Sequence, residues 1–135
     1  MNCPLCLHQN ENIIFENSFL RVVLVDEIPG YIRIITQKHI KELSELDEKE
    51  YIYLFTLAKA LEKEIINILN PDKINIASLG NMTPHVHIHI IPRYKNDPWW
   101  PNATFCKKIR DFEYPAFNEK DYKEKLKACA ENLSF

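Results

Sequence analysis

Between Pro84 and Pro92 the chain reads His85-Val86-His87-Ile88-His89-Ile90-Ile91. Side chains alternate between the two faces of a strand, so this spacing puts the three imidazoles on one face. Val86, Ile88 and Ile90 point the other way, into a core. Proline donates no ladder hydrogen bond and suits strand ends, so Pro84 and Pro92 bracket the segment. Any fold for this chain has to pair that strand on its edges and cover its apolar face.

The rest of the sequence supplies both. Residues 12–16 read as a first strand and Phe19 to Val25 as a second. Pro29-Gly30 marks a turn, and Tyr31 to Thr36 reads as a third strand, which together suggest an antiparallel meander. Asp47 followed by Glu50 is a capping-box start. Tyr51, Leu54, Ala58, Leu61, Ile65 and Ile68 then recur at helical spacing as one apolar stripe, until Asn70-Pro71 stops it. Lys73 to Leu79 reads as a further strand, with Gly80 at its end. After Tyr94 the chain turns irregular through Asp97-Pro98-Trp99-Trp100-Pro101, and a last helix runs from the N-cap Asn118 towards Asn132. The predicted class is α+β: a five-stranded antiparallel sheet, one long helix and a C-terminal helical tail. One domain is expected over residues 1–135, with a core of 1–101 and a tail of 102–135.

Composition removes several functions. Only two glycines occur, Gly30 and Gly80, so no glycine-rich phosphate loop can be written. Seventeen Lys and Arg against nineteen Asp and Glu leave a net charge of −2, which argues against a dedicated nucleic-acid binder. No apolar run approaches the roughly 20 residues of a spanning helix. The first residues lack the basic-then-apolar pattern of a signal peptide, so a cytoplasmic protein is expected. In that compartment Cys3, Cys6, Cys106 and Cys129 read as thiols or metal ligands rather than a disulfide framework. Cys106 and Cys129 have no partner pattern and read as ordinary thiols.

Three imidazoles in register admit three readings: a solvated face, a metal site, or catalysis. Neighbours two apart on a strand lie about 6.5–7 Å apart and can converge on one ion, whereas the outer pair, about 13 Å apart, strains a three-histidine site. A neutral imidazole is a nucleophile and proton carrier, and its neighbours can donate hydrogen bonds to an anionic transition state. Cys3-Pro-Leu-Cys6 likewise reads as a redox pair, two free thiols or half a zinc site. As half a site it leaves His8, His39 and His85 to supply the rest. His8 reads as an exposed loop residue.

His85 to Ile91 resembles the His-φ-His-φ-His-φ-φ signature of the histidine triad family of nucleotide hydrolases and transferases. The resemblance runs through most of residues 3–101. It includes the paired cysteines, Val25-Asp26, Gln37-Lys38-His39-Ile40 and Gly80-Asn81. It implies that His87 attacks the α-phosphorus of a nucleotide and becomes a nucleotidyl-histidine that water cleaves. It also implies that His89 hydrogen-bonds the phosphate oxygens. Asn81 stands where the family often has a glutamine that contacts phosphate, with Thr83 beside it. Asp26 stands at the family's ribose-binding acid, and Ser78 is a further ribose or phosphate candidate. Some members and their relatives hold zinc through residues that correspond to Cys3, Cys6, His39 and His85. That zinc would be structural, with no open position to activate water. A purine nucleotide or dinucleotide substrate and a homodimer paired through the long helix and a sheet edge are the family expectation.

Two departures stand out. Many members carry a fourth histidine after a glycine beyond the second strand. Here Gly30 is followed by Tyr31, which titrates near pH 10 and cannot shuttle protons at neutral pH. The loop from Asp26 to Tyr31 is also short for the family. Trp99-Trp100-Pro101 is similar to the tryptophan-proline ending by which some members approach the partner's site; local packing is the alternative. Besides an enzyme, the sequence is compatible with a non-catalytic nucleotide-binding or adaptor module, or with a zinc-stabilised scaffold. Dinucleoside polyphosphates such as diadenosine tetraphosphate, nucleoside phosphoramidates and aminoacyl-adenylates all present a suitable α-phosphorus.

Overall fold

The structure, a computed structural model, describes residues 3–135. Its strands are β1 (Asn12–Glu16), β2 (Leu20–Leu24), β3 (Ile32–Thr36), β4 (Lys73–Ser78) and β5 (His87–Arg93). They form one antiparallel sheet in the order β1-β2-β3-β5-β4. The helices are α1 (Pro4–Leu7), α2 (Glu48–Leu69) and α3 (Glu119–Glu131), with a 3-10 turn at Leu43–Glu45 before α2. No helix among the described residues is long and apolar enough to cross a membrane.

The alternation of the strands decides which face is covered. Leu20, Val22, Leu24, Ile32, Ile34, Ile88 and Ile90 pack with α2 and α3 in one core. Helix α2 starts on the expected capping box: Asp47 accepts from the Glu50 backbone N–H at 2.8 Å, and Glu50 accepts from that of Asp47 at 2.9 Å. Its buried face is Tyr53, Leu54, Leu57, Ala58, Leu61 and Ile65. The stripe therefore begins at Tyr53, two residues later than the sequence suggests. Tyr51 is exposed and packs on Phe55 at 4.9 Å between ring centroids.

Helix α3 belongs to the same core through Tyr122, Leu126 and Ala130. The Tyr122 hydroxyl donates to the Gly30 carbonyl at 2.6 Å, which ties the tail to the turn before β3. Gly30 has φ +82°, and a Cβ there would lie 2.6 Å from Leu69 Cδ1. Both facts require glycine at that turn.

Strand β5 differs from expectation at both ends. It begins at His87, because the His85 N–H turns back onto the Thr83 carbonyl at 2.8 Å and Val86 bonds to Ile40 at 2.6 Å. His85 therefore stands ahead of the strand. At the other end β5 runs through Pro92 to Arg93. Its pairing with β3 stops at Ile90, so Pro92 interrupts no ladder on that side.

The face away from the helices carries Arg21, Arg33, His87, His89 and Arg93. His87 lies opposite Ile35, His89 lies opposite Arg33, and Arg21 lies opposite Ile35 on the other side. Arg93 is buried and forms a two-pronged pair with Asp97, at 2.7 and 3.0 Å. Asp97 also accepts from the Trp99 and Trp100 N–H groups at 3.0 and 2.9 Å. Burial pushes the Asp97 carboxyl up, but these donors outweigh it and hold it below its ordinary value. The irregular Asp97–Pro101 segment is thus pinned, and Trp99 packs within the chain against Ile28, Tyr31 and Ile91. Removing one partner of a buried pair strands the other charge. Asp97→Ala is expected to lower the unfolding free energy by about 3–5 kcal/mol, read from urea denaturation.

Candidate active site and metal centre

The N-terminal hairpin brings one half of a metal site to the other. Pro4 opens α1 at a position where its missing N–H costs nothing, and the short turn sets Cys6 beside Cys3. Buried Arg21 clamps this turn. It donates to the Leu5 carbonyl at 2.5 Å, while Glu11 neutralises it at 2.7 Å. Cys6 Sγ lies 3.2 Å from His39 Nδ1, and Cys3 Sγ and Cys6 Sγ each lie 3.5 Å from His85 Nδ1. The four ligand atoms all fall within 4.8 Å of one another.

Those distances test the donor set. Zinc–sulfur bonds of about 2.3 Å and zinc–nitrogen bonds of about 2.0–2.1 Å, at tetrahedral angles, place S and N roughly 3.6 Å apart. The observed separations of 3.2 and 3.5 Å lie close to that edge. His85 Nε2–H donates to the Thr36 carbonyl at 2.7 Å, which leaves the Nδ1 lone pair facing the two thiols. Cys3, Cys6, His39 and His85 therefore fit a structural zinc ion. His8 is exposed in the turn after α1 and stays outside the cluster.

Beside this cluster lies a cavity of about 410 Å³. His87 and His89 line it, with Arg33, Asn81, Thr83 and Phe105 around them. The hairpin's Pro4 and Leu5 form part of its wall. The His87 and His89 rings lie 4.8 Å apart by centroid, whereas the His85 ring sits edge-on to His39 at 5.1 Å. The three histidines thus divide into one metal ligand and two cavity residues.

Each cavity imidazole has one nitrogen fixed. His87 Nδ1–H donates to the His85 carbonyl at 2.6 Å. Every fully buried side-chain nitrogen or oxygen among the described residues has a partner. His87 Nε2 has none and is therefore reachable from the cavity, with its lone pair free. His89 Nδ1 lies 2.5 Å from the Tyr31 hydroxyl, which accepts from Arg33 Nε at 2.8 Å. Burial pushes the Tyr31 phenol up, so it keeps its proton. That proton has no other acceptor among the described residues and goes to His89 Nδ1. His89 then carries its own hydrogen on Nε2, as a donor. Burial lowers His87 below the usual imidazole range; burial, then the nearby His87 and Arg33, push His89 down to about 4. Both rings are neutral at pH 7: one offers a nitrogen lone pair to the cavity, the other a hydrogen-bond donor.

The structure brings Asn81, Thr83, His87 and His89 to the cavity, whereas Asp26 and Ser78 are exposed and lie outside its lining. Tyr31 stands against His89, at the place the sequence marks only as a departure. Arg33 and Phe105 carry no motif. The alternation Tyr31, Arg33, Ile35 on a strand paired with the histidine strand is the signal that would have placed Arg33 here. Phe105 packs edge-on to His89 at 5.2 Å from a segment without regular structure, and nothing local announces it.

The sheet order, the two cavity imidazoles and the Cys/His cluster are of the histidine triad type. The HIT domain description matches residues 8–96, and the chain belongs to that family. It is 32% identical over 101 residues to a bis(5'-adenosyl)-triphosphatase of Dictyostelium discoideum, covering 70% of this chain and 67% of that protein. Over 75 residues it is 33% identical to an asymmetrical bis(5'-nucleosyl)-tetraphosphatase of Schizosaccharomyces pombe. That match spans 52% of this chain and only 41% of the yeast protein. A histidine triad protein of Marinobacter aquaeolei VT8 superposes with TM-score 0.74 at 28% identity, covering 92% of this chain and 91% of that one. A Zn-bound histidine triad family protein of Mycobacterium smegmatis shares the fold at TM-score 0.66 and 16% identity, over 98% and 95% of the two chains.

Purified protein is expected to hold about one zinc ion per chain by elemental analysis, and Cys3→Ser to lose it. Long-range 1H–15N spectra at pH 7 should show neutral His87 as the Nδ1–H tautomer and neutral His89 as the Nε2–H tautomer. His89 should stay neutral as the pH falls towards about 4.

Proposed function

We propose that the chain is a nucleotide hydrolase or nucleotidyl transferase that attacks an α-phosphorus through His87. The observation that carries this reading is the fixed tautomer: Nδ1 is committed to the His85 carbonyl and Nε2 opens on the cavity. The dinucleoside polyphosphatases among its relatives supply the substrate class.

In the first step the Nε2 lone pair forms a bond to phosphorus, and the bond to the leaving oxygen breaks with its electron pair. A phosphate leaving group departs as an anion and needs no proton. The positive charge gained by the His87 ring is delocalised to Nδ1–H, where the His85 carbonyl strengthens its hold. His89 Nε2–H and the amide of Asn81 donate to the phosphoryl oxygens, with the Thr83 hydroxyl, and favour the charge of the transition state. Water then attacks phosphorus and loses a proton to the solvent, and the P–N bond breaks with its electron pair returning to Nε2. The products are a nucleoside monophosphate and free His87. A zinc ion at the neighbouring cluster would be held by Cys3, Cys6, His39 and His85 and would supply rigidity to His85 and the hairpin, not chemistry. Asp26 is proposed for the ribose, as the family resemblance implies, and Ser78 for the ribose or a phosphate.

The same reading includes a homodimer. Tyr51, Ile52 and Ile66 on α2 and Ile76 on the edge strand β4 are exposed apolar residues of the kind a two-fold interface covers. A cytoplasmic location and a one-domain organisation with a core of 1–101 belong to it as well. A nucleotide-binding adaptor is the second reading, and the free Nε2 of His87 favours the enzyme over it.

His87→Ala is expected to lower turnover of diadenosine tetraphosphate by several orders of magnitude, while nucleotide binding persists. Acid-free mass spectrometry of the working enzyme should find a chain heavier by one nucleoside monophosphate. Near-normal turnover by His87→Ala would leave the adaptor reading in its place.

A further inference from the structure

The sheet face that carries the histidines also carries arginines from β2, β3 and β5, and they are not treated alike. Arg21 is fully buried and neutralised by Glu11 at 2.7 Å. Arg93 is 2% exposed and neutralised by Asp97 at 2.7 Å. Arg33 has no ion pair among the described residues. Its Nε is spent on the Tyr31 hydroxyl at 2.8 Å, and its Cζ lies 5.2 Å from the Tyr31 ring centroid. Its two terminal nitrogens have no hydrogen-bond partner among the described residues. No carboxylate lines the cavity, so Arg33 is its one formal charge.

A guanidinium fixed at Nε, with both terminal nitrogens free in a concave site, is built to take an oxyanion by two parallel hydrogen bonds. Arg33 pairs with His89 across the strands rather than with His87, which lies opposite Ile35. Its forked end therefore serves a group beside the attacked phosphorus rather than that phosphorus. We infer that Arg33, positioned by Tyr31, is a specificity residue that binds the phosphate adjoining the one His87 attacks. Substrates with a second phosphate are favoured over phosphoramidates and other derivatives that lack one. The inference rests on the nucleotide reading above and deepens it.

Tyr31 links the two donors. One oxygen accepts from Arg33 and donates to His89, so the charge of the guanidinium polarises the His89 N–H through the phenol. A histidine at position 31 would share the link but would also bring a titrating charge. A phenol, pushed up by burial, adds no titrating charge at working pH.

The test compares AMP, ADP and ATP by calorimetry on zinc-loaded wild type, Arg33→Gln and Arg33→Leu, with thermal unfolding and zinc content as fold controls. Wild type is expected to bind ADP about 10- to 100-fold more tightly than AMP, as a charge-assisted bidentate contact gives. In both variants the ADP-to-AMP affinity ratio should collapse towards one. Tyr31→Phe, which keeps the charge but frees the guanidinium, should give an intermediate ratio. A wild type without preference for the second phosphate would overturn the inference, as would a variant that keeps the wild-type ratio. Loss of AMP and ADP affinity by the same factor would also overturn it, by assigning Arg33 to the attacked phosphate. A wild type that prefers ADP but turns over no nucleotide would uphold the anion subsite and remove the hydrolase reading.

Discussion

The His85 carbonyl accepts from His87 Nδ1–H, and the chemistry of the cavity depends on that one hydrogen bond. The residue that provides it is held on three sides. Its Nε2 donates to Thr36 on β3, its Nδ1 faces Cys3 and Cys6, and its N–H turns back to Thr83. A backbone acceptor cannot rotate away as a side chain can, so the tautomer of His87 is as rigid as the main chain at position 85. A metal ion with four protein ligands would therefore still bear on the geometry of the cavity. It would fix the residue whose carbonyl orients the His87 ring, and the hairpin that supplies two of its ligands closes part of the cavity wall.

The sheet separates two kinds of order. Its covered face is apolar and held by area alone. Its open face is polar and held by paired charges, with Arg21 tied to Glu11 and Arg93 tied to Asp97. Buried pairs of this kind contribute little net stability over an apolar substitute, but they do not tolerate the loss of one member. Their effect is positional: Arg21 fixes the metal hairpin, Arg93 fixes the segment that carries Trp99, and the cavity lies between them.

Most of the fold was legible because periodicity and punctuation agreed. The alternation at β5, the capping box at Asp47, the stop at Asn70-Pro71 and the turn at Pro29-Gly30 each follow from local physics. Boundaries slipped where the cause was distant. Nothing near His85 says that its N–H will turn back, and Tyr51 has the spacing of the α2 stripe yet remains exposed. At the site, residues in motifs were readable: Cys3, Cys6, His39 and His85 meet, and His87 and His89 share a cavity with Asn81 and Thr83. Tyr31 was visible only as a break from a pattern. Arg33 and Phe105 were silent, since their roles come from strand register and from a loop that crosses back over the sheet.

The Tyr122 bond to Gly30 joins residues 92 apart in sequence, and Cys3 meets His85 across 82. Closing such long loops is slow, and their entropy is lost before the contacts repay it. A chain emerging from the ribosome can lay down β1 to β5 and still lack the anchor on the turn that leads into Tyr31. The tail helix thus acts as a clock on maturation: the histidine strand is made early, and the turn that leads into Tyr31 is anchored only when the last helix docks.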